Sequence, residues 1–409
     1  MTRTHPFLTL LLVLGLLASG CTLMEPDEDD PPAELRPLTS AEAQVSEADN
    51  RFGLKLFRAL SEDERDENLF ISPLSVSMAL GMTLNGADGE TYTAMQETLE
   101  LAGLSEEEIN TSYQSLIELL TNLDRKVIFE IANSIWYRQG FAVEPPFIDA
   151  SQTYFDAAIR EADFGSPAAV VAINGWVEEQ TRGKIDEIID EIDPDIVMFL
   201  INAIYFKGTW TYEFDEDDTR DEAFTQHDGT DVQVPMMRQE ADLPYFETEA
   251  FQAVDLPYGD SLFSMTILLP REGHDVDDLA DALDPAQWND WVGRFATREV
   301  DLRLPRFKLE YEKELNDVLK SLGMEVAFTG LADFTRINRN GGLYIDYVKH
   351  KTFVEVNEEG TEAAAVTVVA IAFTSAGGGT AMHVNRPFVF AIRERHSGTI
   401  LFIGKVNAL

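Results

Sequence analysis

The chain reads as an α+β protein. Two observations predict this class. Apolar residues recur with helical period through much of the first half, whereas the second half is dominated by short runs rich in Val, Ile, Phe and Tyr. The two patterns are segregated rather than alternating, which argues against a doubly wound parallel sheet.

Each element follows from its own pattern. Ala43 to Leu60 sets Phe52, Leu54, Leu56, Phe57 and Leu60 on one helical face. Leu69 to Ile71 is a short strand ended by Ser72-Pro73, and Ser75 to Asn85 is a helix apolar on most sides, hence buried. Helices are expected at Thr91 to Leu101, Ser105 to Leu123, Phe147 to Ala158 and Ala168 to Thr181, with a strand at Val127 to Tyr137. Val197 to Phe206 is a strong strand that Lys207-Gly208 is expected to break. Strands follow at Gln233 to Met237, Gln252 to Leu256, Ser264 to Leu269 and Glu299 to Pro305. Leu315 to Leu322 is a helix closed by Gly323. Val348 to Asn357, Ala363 to Phe373, Phe388 to Arg393 and Ile400 to Val406 complete the strands. The run Ala363 to Phe373 has eleven small or apolar residues. It is too short to cross a bilayer, which needs about 20, and too rich in Val, Ile and Thr for a helix.

The 409 residues divide unevenly. Residues 1–20 form a leader, with Arg3 at its start, an apolar core from Phe7 to Leu17, and Ala18-Ser19-Gly20-Cys21 at its end. Small residues ending in Cys resemble a bacterial lipobox, which implies cleavage before Cys21 and lipidation of its thiol. The competing reading is an ordinary secretory signal followed by an incidental Cys. Cys21 is the single cysteine, so no intramolecular disulfide and no CxxC metal site can form. Residues 21–42 are read as a tether, because Glu25 to Pro37 is acidic and proline-rich and cannot bury a core. Residues 43–409 show no second linker, repeat or low-complexity stretch, so one large domain is expected. The expected location is extracytoplasmic and membrane-anchored, at the cell surface or in the periplasm.

Lys plus Arg is 31 and Asp plus Glu is 73, giving 31 − 73 = −42. Such a chain repels nucleic acid and acidic membrane surfaces. The acids are spread along the sequence, which suits a solvated surface adapted to high salt rather than one acid-specific site. Catalytic signatures are missing: the six histidines lie apart, with no HExxH, GxSxG, GxxxxGK[ST] or GxGxxG. No enzyme, metal site or cofactor is expected, although a hydrolase with a dispersed site is the reading that substrate turnover would reveal.

Six segments in series resemble the serpin family. NLFISPLSVSMALGMTLNG (Asn68 to Gly86) and NGWVEEQTRGKI (Asn174 to Ile185) come first, then NAIYFKGTW (Asn202 to Trp210) with Pro235-Met236-Met237. His350 with VEVNEEGTEAAA (Val354 to Ala365) follows, then NRPFVF (Asn385 to Phe390) and LFIGKV (Leu401 to Val406). The match runs from about residue 43 to residue 409 in the family's order. The resemblance implies three β-sheets, about nine helices, an exposed reactive-centre loop and suicide inhibition of a serine protease by a monomeric inhibitor. Bulkier or charged hinges would suit the alternative, a non-inhibitory serpin that serves as a binding or structural protein.

The resemblance also assigns residues. The loop hinge is Glu358, Glu359, Gly360, Thr361, Glu362, Ala363, Ala364, Ala365 and Val366, the last larger than the alanine often found there. Counting seventeen residues from Glu358 puts the reactive bond at Thr374–Ser375, with Phe373–Thr374 as the alternative register. On insertion as a strand, alternation would turn Thr361, Ala363, Ala365, Thr367, Val369 and Ile371 to the core. Ser72, Ser75, Asn202 and His350 match a hydrogen-bonded cluster where the central sheet parts, and Trp210 matches a tryptophan at its top. Ser112 to Leu123 carries no Lys or Arg, so no heparin-like cofactor is expected.

Overall fold

A reciprocal cap sets the start of the first helix. The Thr39 hydroxyl accepts from Glu42 N at 3.2 Å, and the Glu42 carboxylate accepts from Thr39 N at 2.7 Å. The same carboxylate takes a forked pair of hydrogen bonds from Arg36, at 2.8 and 2.6 Å. That guanidinium is the main reason Glu42 is held down at about 2. Helix thus begins at Ser40, ahead of the expected Ala43 and inside the stretch 21–42 read as tether. The structure, a computed structural model, describes residues 35–361 and 380–409. The leader, Cys21 and the segment from Glu362 through Val366 to Phe373, Thr374 and Ser375 lie outside the described residues.

Among the described residues there are nine α-helices: α1 (Ser40–Asp63), α2 (Pro73–Leu84), α3 (Gly89–Thr98), α4 (Glu106–Asn122), α5 (Pro145–Phe155), α6 (Pro167–Gln180), α7 (Val276–Asp281), α8 (Pro285–Gly293) and α9 (Asn316–Leu319). The strands are β1 (Leu69–Ile71), β2 (Val127–Arg138), β3 (Ala158–Ala162), β4 (Met198–Thr209), β5 (Arg220–Thr225), β6 (Asp231–Glu247), β7 (Phe251–Tyr258), β8 (Phe263–Pro270), β9 (Ala296–Pro305), β10 (Phe307–Glu314), β11 (Lys349–Val356), β12 (Gly360–Thr361), β13 (Thr380–His383), β14 (Phe388–Glu394) and β15 (Ile400–Val406). Six strands form the central sheet, in the order β10-β11-β12-β4-β2-β3. The other nine form one continuous ladder. The long strand β6 links this ladder, pairing in turn with β5 (residues 231–236), β9 (236–245) and β7 (245–247). Strand pairing thus gives two hydrogen-bonded sheets among the described residues, where the resemblance implied three.

The main core lies between the inner face of the central sheet, helices α1, α2 and α4, and strands β7, β8, β14 and β15. Phe70 stacks between Phe390 and Phe402 at 5.5 and 5.3 Å. A second core lies on the outer face of the central sheet, where Trp176 and Ile173 of α6 cover Phe199, Ile201 and Ala203. Alternation along β4 thus serves two cores, one per face.

Sequence and structure part company at specific places. The strand expected to break at Lys207-Gly208 runs on to Thr209. Gly208 is used for close packing: a Cβ there would lie 2.9 Å from the Tyr258 ring. The helix expected to reach Ala158 ends at Phe155, and Ala158 opens strand β3, paired with β2. Strands β5 and β10 are additions to the expected set: β5 carries little apolar content, whereas β10 alternates buried Phe307, Leu309 and Tyr311 with charged residues. Gly323 interrupts the turn after α9 with φ of 124°, in keeping with its expected role.

Asp49 of α1 is fully enclosed. Its Oδ1 accepts from the Tyr113 hydroxyl of α4 at 2.9 Å, and Oδ2 has no hydrogen-bond partner. Ser77 of α2 faces the same carboxyl, and burial outweighs both hydroxyls and pushes it up to about 7. The unfolded chain releases this proton near pH 4, the folded chain only near pH 7. Stability linked to Asp49 is therefore complete below about pH 4 and is lost as pH rises to about 7. Asp49→Asn is expected to stabilise the protein at pH 8 by roughly 1–3 kcal/mol, with the gain over wild type vanishing near pH 4. Urea midpoints of both proteins at pH 4, 6 and 8 test this; a gain independent of pH would mean that ionisation of Asp49 plays no part.

Candidate functional site

The central sheet is held together at one end and parted below it. Strands β4 and β11 face each other, and no backbone pairing between them is found among the described residues. At the top, β12 fills the gap: Thr361 pairs with Val356 of β11 and with Gly208 of β4, and Gly360 pairs with Thr209. Below Thr361 the gap opens into a cavity of about 590 Å³. Its walls include Leu200, Asn202 and Ile204 of β4 and His350 and Thr352 of β11, and Ser75, Val76 and Ala79 of α2 form its floor. The cavity has strand-edge backbone on both sides and apolar groups beneath. That is the chemistry that accepts an added strand.

The hinge is fastened by one buried acid. The Glu358 side chain is 3 % exposed. Its Oε1 accepts from Arg306 Nε at 2.7 Å and lies 2.5 Å from Arg306 Nη2, and the Thr219 hydroxyl also donates to it. The Glu358 carbonyl accepts from Phe214 N at 3.0 Å, and the Glu359 carbonyl from Trp210 N at 2.9 Å. Gly360 follows at φ 155°; a Cβ there would lie 2.0 Å from Gly208 O, so only glycine fits. The Thr361 hydroxyl shares a 2.5 Å hydrogen bond with Tyr258, and the side chain turns into the core, as the alternation required. Trp210 covers this end: its indole N–H donates to Asn357 O at 3.0 Å and its ring stacks on Tyr258 at 4.3 Å.

The expected cluster is brought together only in part. Ser72 N donates to His350 Nε2 at 3.0 Å, and the Ser72 hydroxyl donates to Leu401 O at 2.7 Å while capping α2 at Ser75 N. Burial pushes His350 down to about 4, which keeps the ring neutral and its nitrogen free to accept. Asn202 stands on the opposite wall. Its amide donates to Asn133 Oδ1 at 2.8 Å, and its own Oδ1 is buried without a partner. The parted strands thus separate Asn202 from Ser72, Ser75 and His350.

Sequence reasoning did not single out Arg306, Thr219, Tyr258 or Asn133. Arg306 is 52 residues from Glu358, Thr219 is 139, and Tyr258 is 103 from Thr361. Arg306 lies between β9 and β10 with no local pattern to mark it. Of the expected hinge, Glu358, Glu359, Gly360 and Thr361 are described here.

Similarity to known proteins agrees with this geometry. The sequence profile described as Serpin (serine protease inhibitor) matches residues 47–409. Leukocyte elastase inhibitor of Sus scrofa is 36% identical over 377 residues, covering 89% of this chain and 99% of that protein. The native-state structure of the thermophilic serpin tengpin superposes with a TM-score of 0.82 at 35% identity, covering 93% of this chain and 97% of that one. Human thyroxine-binding globulin in complex with its hormone also gives 0.82, at 29% identity, covering 90% and 99%. This similarity establishes that the chain belongs to the serpins, a family made up mostly of protease inhibitors rather than enzymes.

Proposed function

We propose that this serpin is a suicide inhibitor of serine proteases that works by cleavage and insertion of its reactive-centre loop. The observation that carries the proposal is the hinge. Gly360 and Thr361 already lie as a strand between β4 and β11, above an open slot. Reactive-loop insertion is a known instance of strand addition to a sheet.

The observed register extends to the rest of the loop. Thr361 opposite Gly208 and Val356 sets residue 361 + 6 = 367 opposite 208 − 6 = 202 and 356 − 6 = 350. Thr367 would then enter between Asn202 and His350 and offer its hydroxyl to the unpartnered Asn202 oxygen. Residue 371 would reach Met198, where β4 begins. Residues 363, 365, 367, 369 and 371 would share the core-facing side of Thr361. In the reaction, the protease serine attacks the Thr374 carbonyl and the peptide bond to Ser375 breaks. Ser375 leaves as a new amino terminus that takes up a proton, and an ester joins Thr374 to the enzyme. Insertion of about 11 residues then carries that ester roughly 35 Å along the sheet. New ladder hydrogen bonds at ~1 kcal/mol each sum to about 10 kcal/mol, comparable to the ~5–15 kcal/mol stability of a protease domain.

The target reading rests on the loop sequence. Thr374 is small and β-branched, which suits the shallow pocket of an elastase-like or subtilisin-like enzyme; Phe373 in the alternative register suits a chymotrypsin-like slot. No Lys or Arg lies from Glu358 to Met382, which disfavours trypsin-like targets. Cys21 would carry a lipid and hold the inhibitor at an extracytoplasmic membrane face.

Three outcomes are expected. Thr361→Arg would bury a charge between β11 and β4, at a cost of several kcal/mol. The variant should be cleaved as a substrate, with its stoichiometry of inhibition raised at least tenfold on denaturing gels against a panel of serine proteases. Retention of a normal covalent complex would remove loop insertion from the mechanism. If no protease in the panel is trapped and cleavage of the loop does not raise the melting temperature, the chain is a non-inhibitory binding protein. Mass spectrometry of the small C-terminal fragment should find a start at Ser375, or at Thr374 for the other register; any start outside Phe373 to Ala376 contradicts both. Cys21→Ser should move the protein from the membrane to the soluble fraction with inhibition intact, and a wild-type protein that is already soluble would contradict the lipid anchor.

A further inference from the structure

Far along the chain from the hinge, three potential metal ligands converge. His227 sits in the turn between β5 and β6, Asp275 caps α7, and Asp277 lies in its first turn. One ligand atom from each falls within 4.8 Å of the other two. We propose that His227, Asp275 and Asp277 form a binding site for a divalent transition-metal cation, with Zn²⁺ as the occupant their chemistry fits best.

The second coordination sphere is already built. Asp275 has one oxygen held by a protein donor, whereas both Asp277 oxygens face cationic side chains. Asp275 Oδ1 accepts from Asp277 N at 2.9 Å, which leaves Oδ2. Asp277 Oδ1 accepts from the fully buried Lys405 ammonium at 2.6 Å, while Oδ2 has Arg65 at 3.8 Å. Outer hydrogen bonds of this kind orient ligating carboxylates and lower the cost of ordering them. The His227 backbone is fixed as well: its N–H donates to Asn407 O at 2.9 Å, and the buried Asn407 side chain donates to Arg65 O and Glu67 O. Asp66, which lies outside this group of three, stands 3.1 Å from His227 Nε2.

Charge and size favour the same occupant. Asp66, Asp275, Asp277 and Asp281 contribute four negative charges, and Lys405 with Arg65 contributes two positive ones. Arg65 is engaged by Asp281 at 3.2 Å. Glu62 also lies near Arg65, so negative charge is in excess around the three ligands, which favours a bound cation. Zinc binds imidazole nitrogen and carboxylate oxygen at about 2.0–2.2 Å, so tetrahedral ligands stand about 3.4 Å apart. Side-chain shifts of about 1 Å would close the present set to that spacing. Magnesium demands near-ideal octahedral oxygen ligation and calcium takes six to eight oxygens, so an imidazole with two carboxylates suits neither. The metal would tie the β5–β6 turn to α7 and to the end of α1.

Isothermal titration of the EDTA-treated full chain with ZnCl₂ in 0.5 M NaCl tests the assignment, alongside thermal melts with and without zinc. Two variants serve as probes. His227→Ala removes a partly exposed ligand, and Asp275→Asn keeps an equally good helix cap. Wild type should bind zinc at one saturable site and melt at higher temperature with zinc present. Each variant should bind about 10–100-fold more weakly and lose the thermal shift. Absence of a saturable site in wild type, or undiminished affinity in both variants, would overturn the proposal, the latter by locating the zinc elsewhere on the acidic surface.

Discussion

A single buried carboxylate secures the top of the central sheet. Glu358 ends the turn after β11, and its side chain is clamped by Arg306 and Thr219 while its backbone is held through Phe214. A buried charge is tolerated only when partners compensate it, and losing one partner is costly. The clamp sets the direction in which the chain leaves β11, which puts Gly360 against Gly208 and Thr361 under Tyr258. Every other feature of the site follows from that entry point: the antiparallel register, the face that Thr361 takes, and the position of the slot beneath it.

The same arrangement leaves the sheet incomplete. Strands β4 and β11 are bridged by two residues and then diverge around a cavity. Unpaired strand edges and a buried, unpartnered Asn202 oxygen are unfavourable in any resting fold. Under the proposed insertion, an added strand would relieve both at once. The polar groups on the two walls, Asn202 and His350, are held apart by distance and ready by chemistry, since burial keeps His350 neutral and able to accept.

The acidic composition is a property of the surface rather than of the core. Inside, two ion pairs are dry: Arg393 pairs with Asp255 at 2.8 Å with both side chains almost fully enclosed, and Lys405 pairs with Asp277 at 2.6 Å, whereas Asp49 has no cationic partner and is held protonated toward neutral pH. Outside, the excess of carboxylates repels itself and is screened by salt, where the Debye length shrinks to about 3 Å at 1 M. The fold is therefore held by apolar burial and a few dry ion pairs, and the net charge of −42 adds little to it.

Local patterns determined much of this protein in advance. The helical face of α1, the buried helix α2, the β-rich C-terminal strands and the need for glycine at Gly360 were all legible, because periodicity and backbone freedom act over a few residues. The expected cluster was legible as a set of residues but not as an arrangement: Ser72 and His350 meet, whereas Asn202 is left across the slot. Arg306, Thr219 and Tyr258 could not be read at all, since each meets the hinge from 52 to 139 residues away and is marked by no local period. The continuation of β4 through Lys207-Gly208 was misjudged for a related reason. Glycine ends strands when only its own propensity counts, but here the Tyr258 ring occupies the space a side chain would fill. Periodicity determines which face of a segment is apolar; only packing between distant segments decides which buried charge finds its partner and where a sheet stays open.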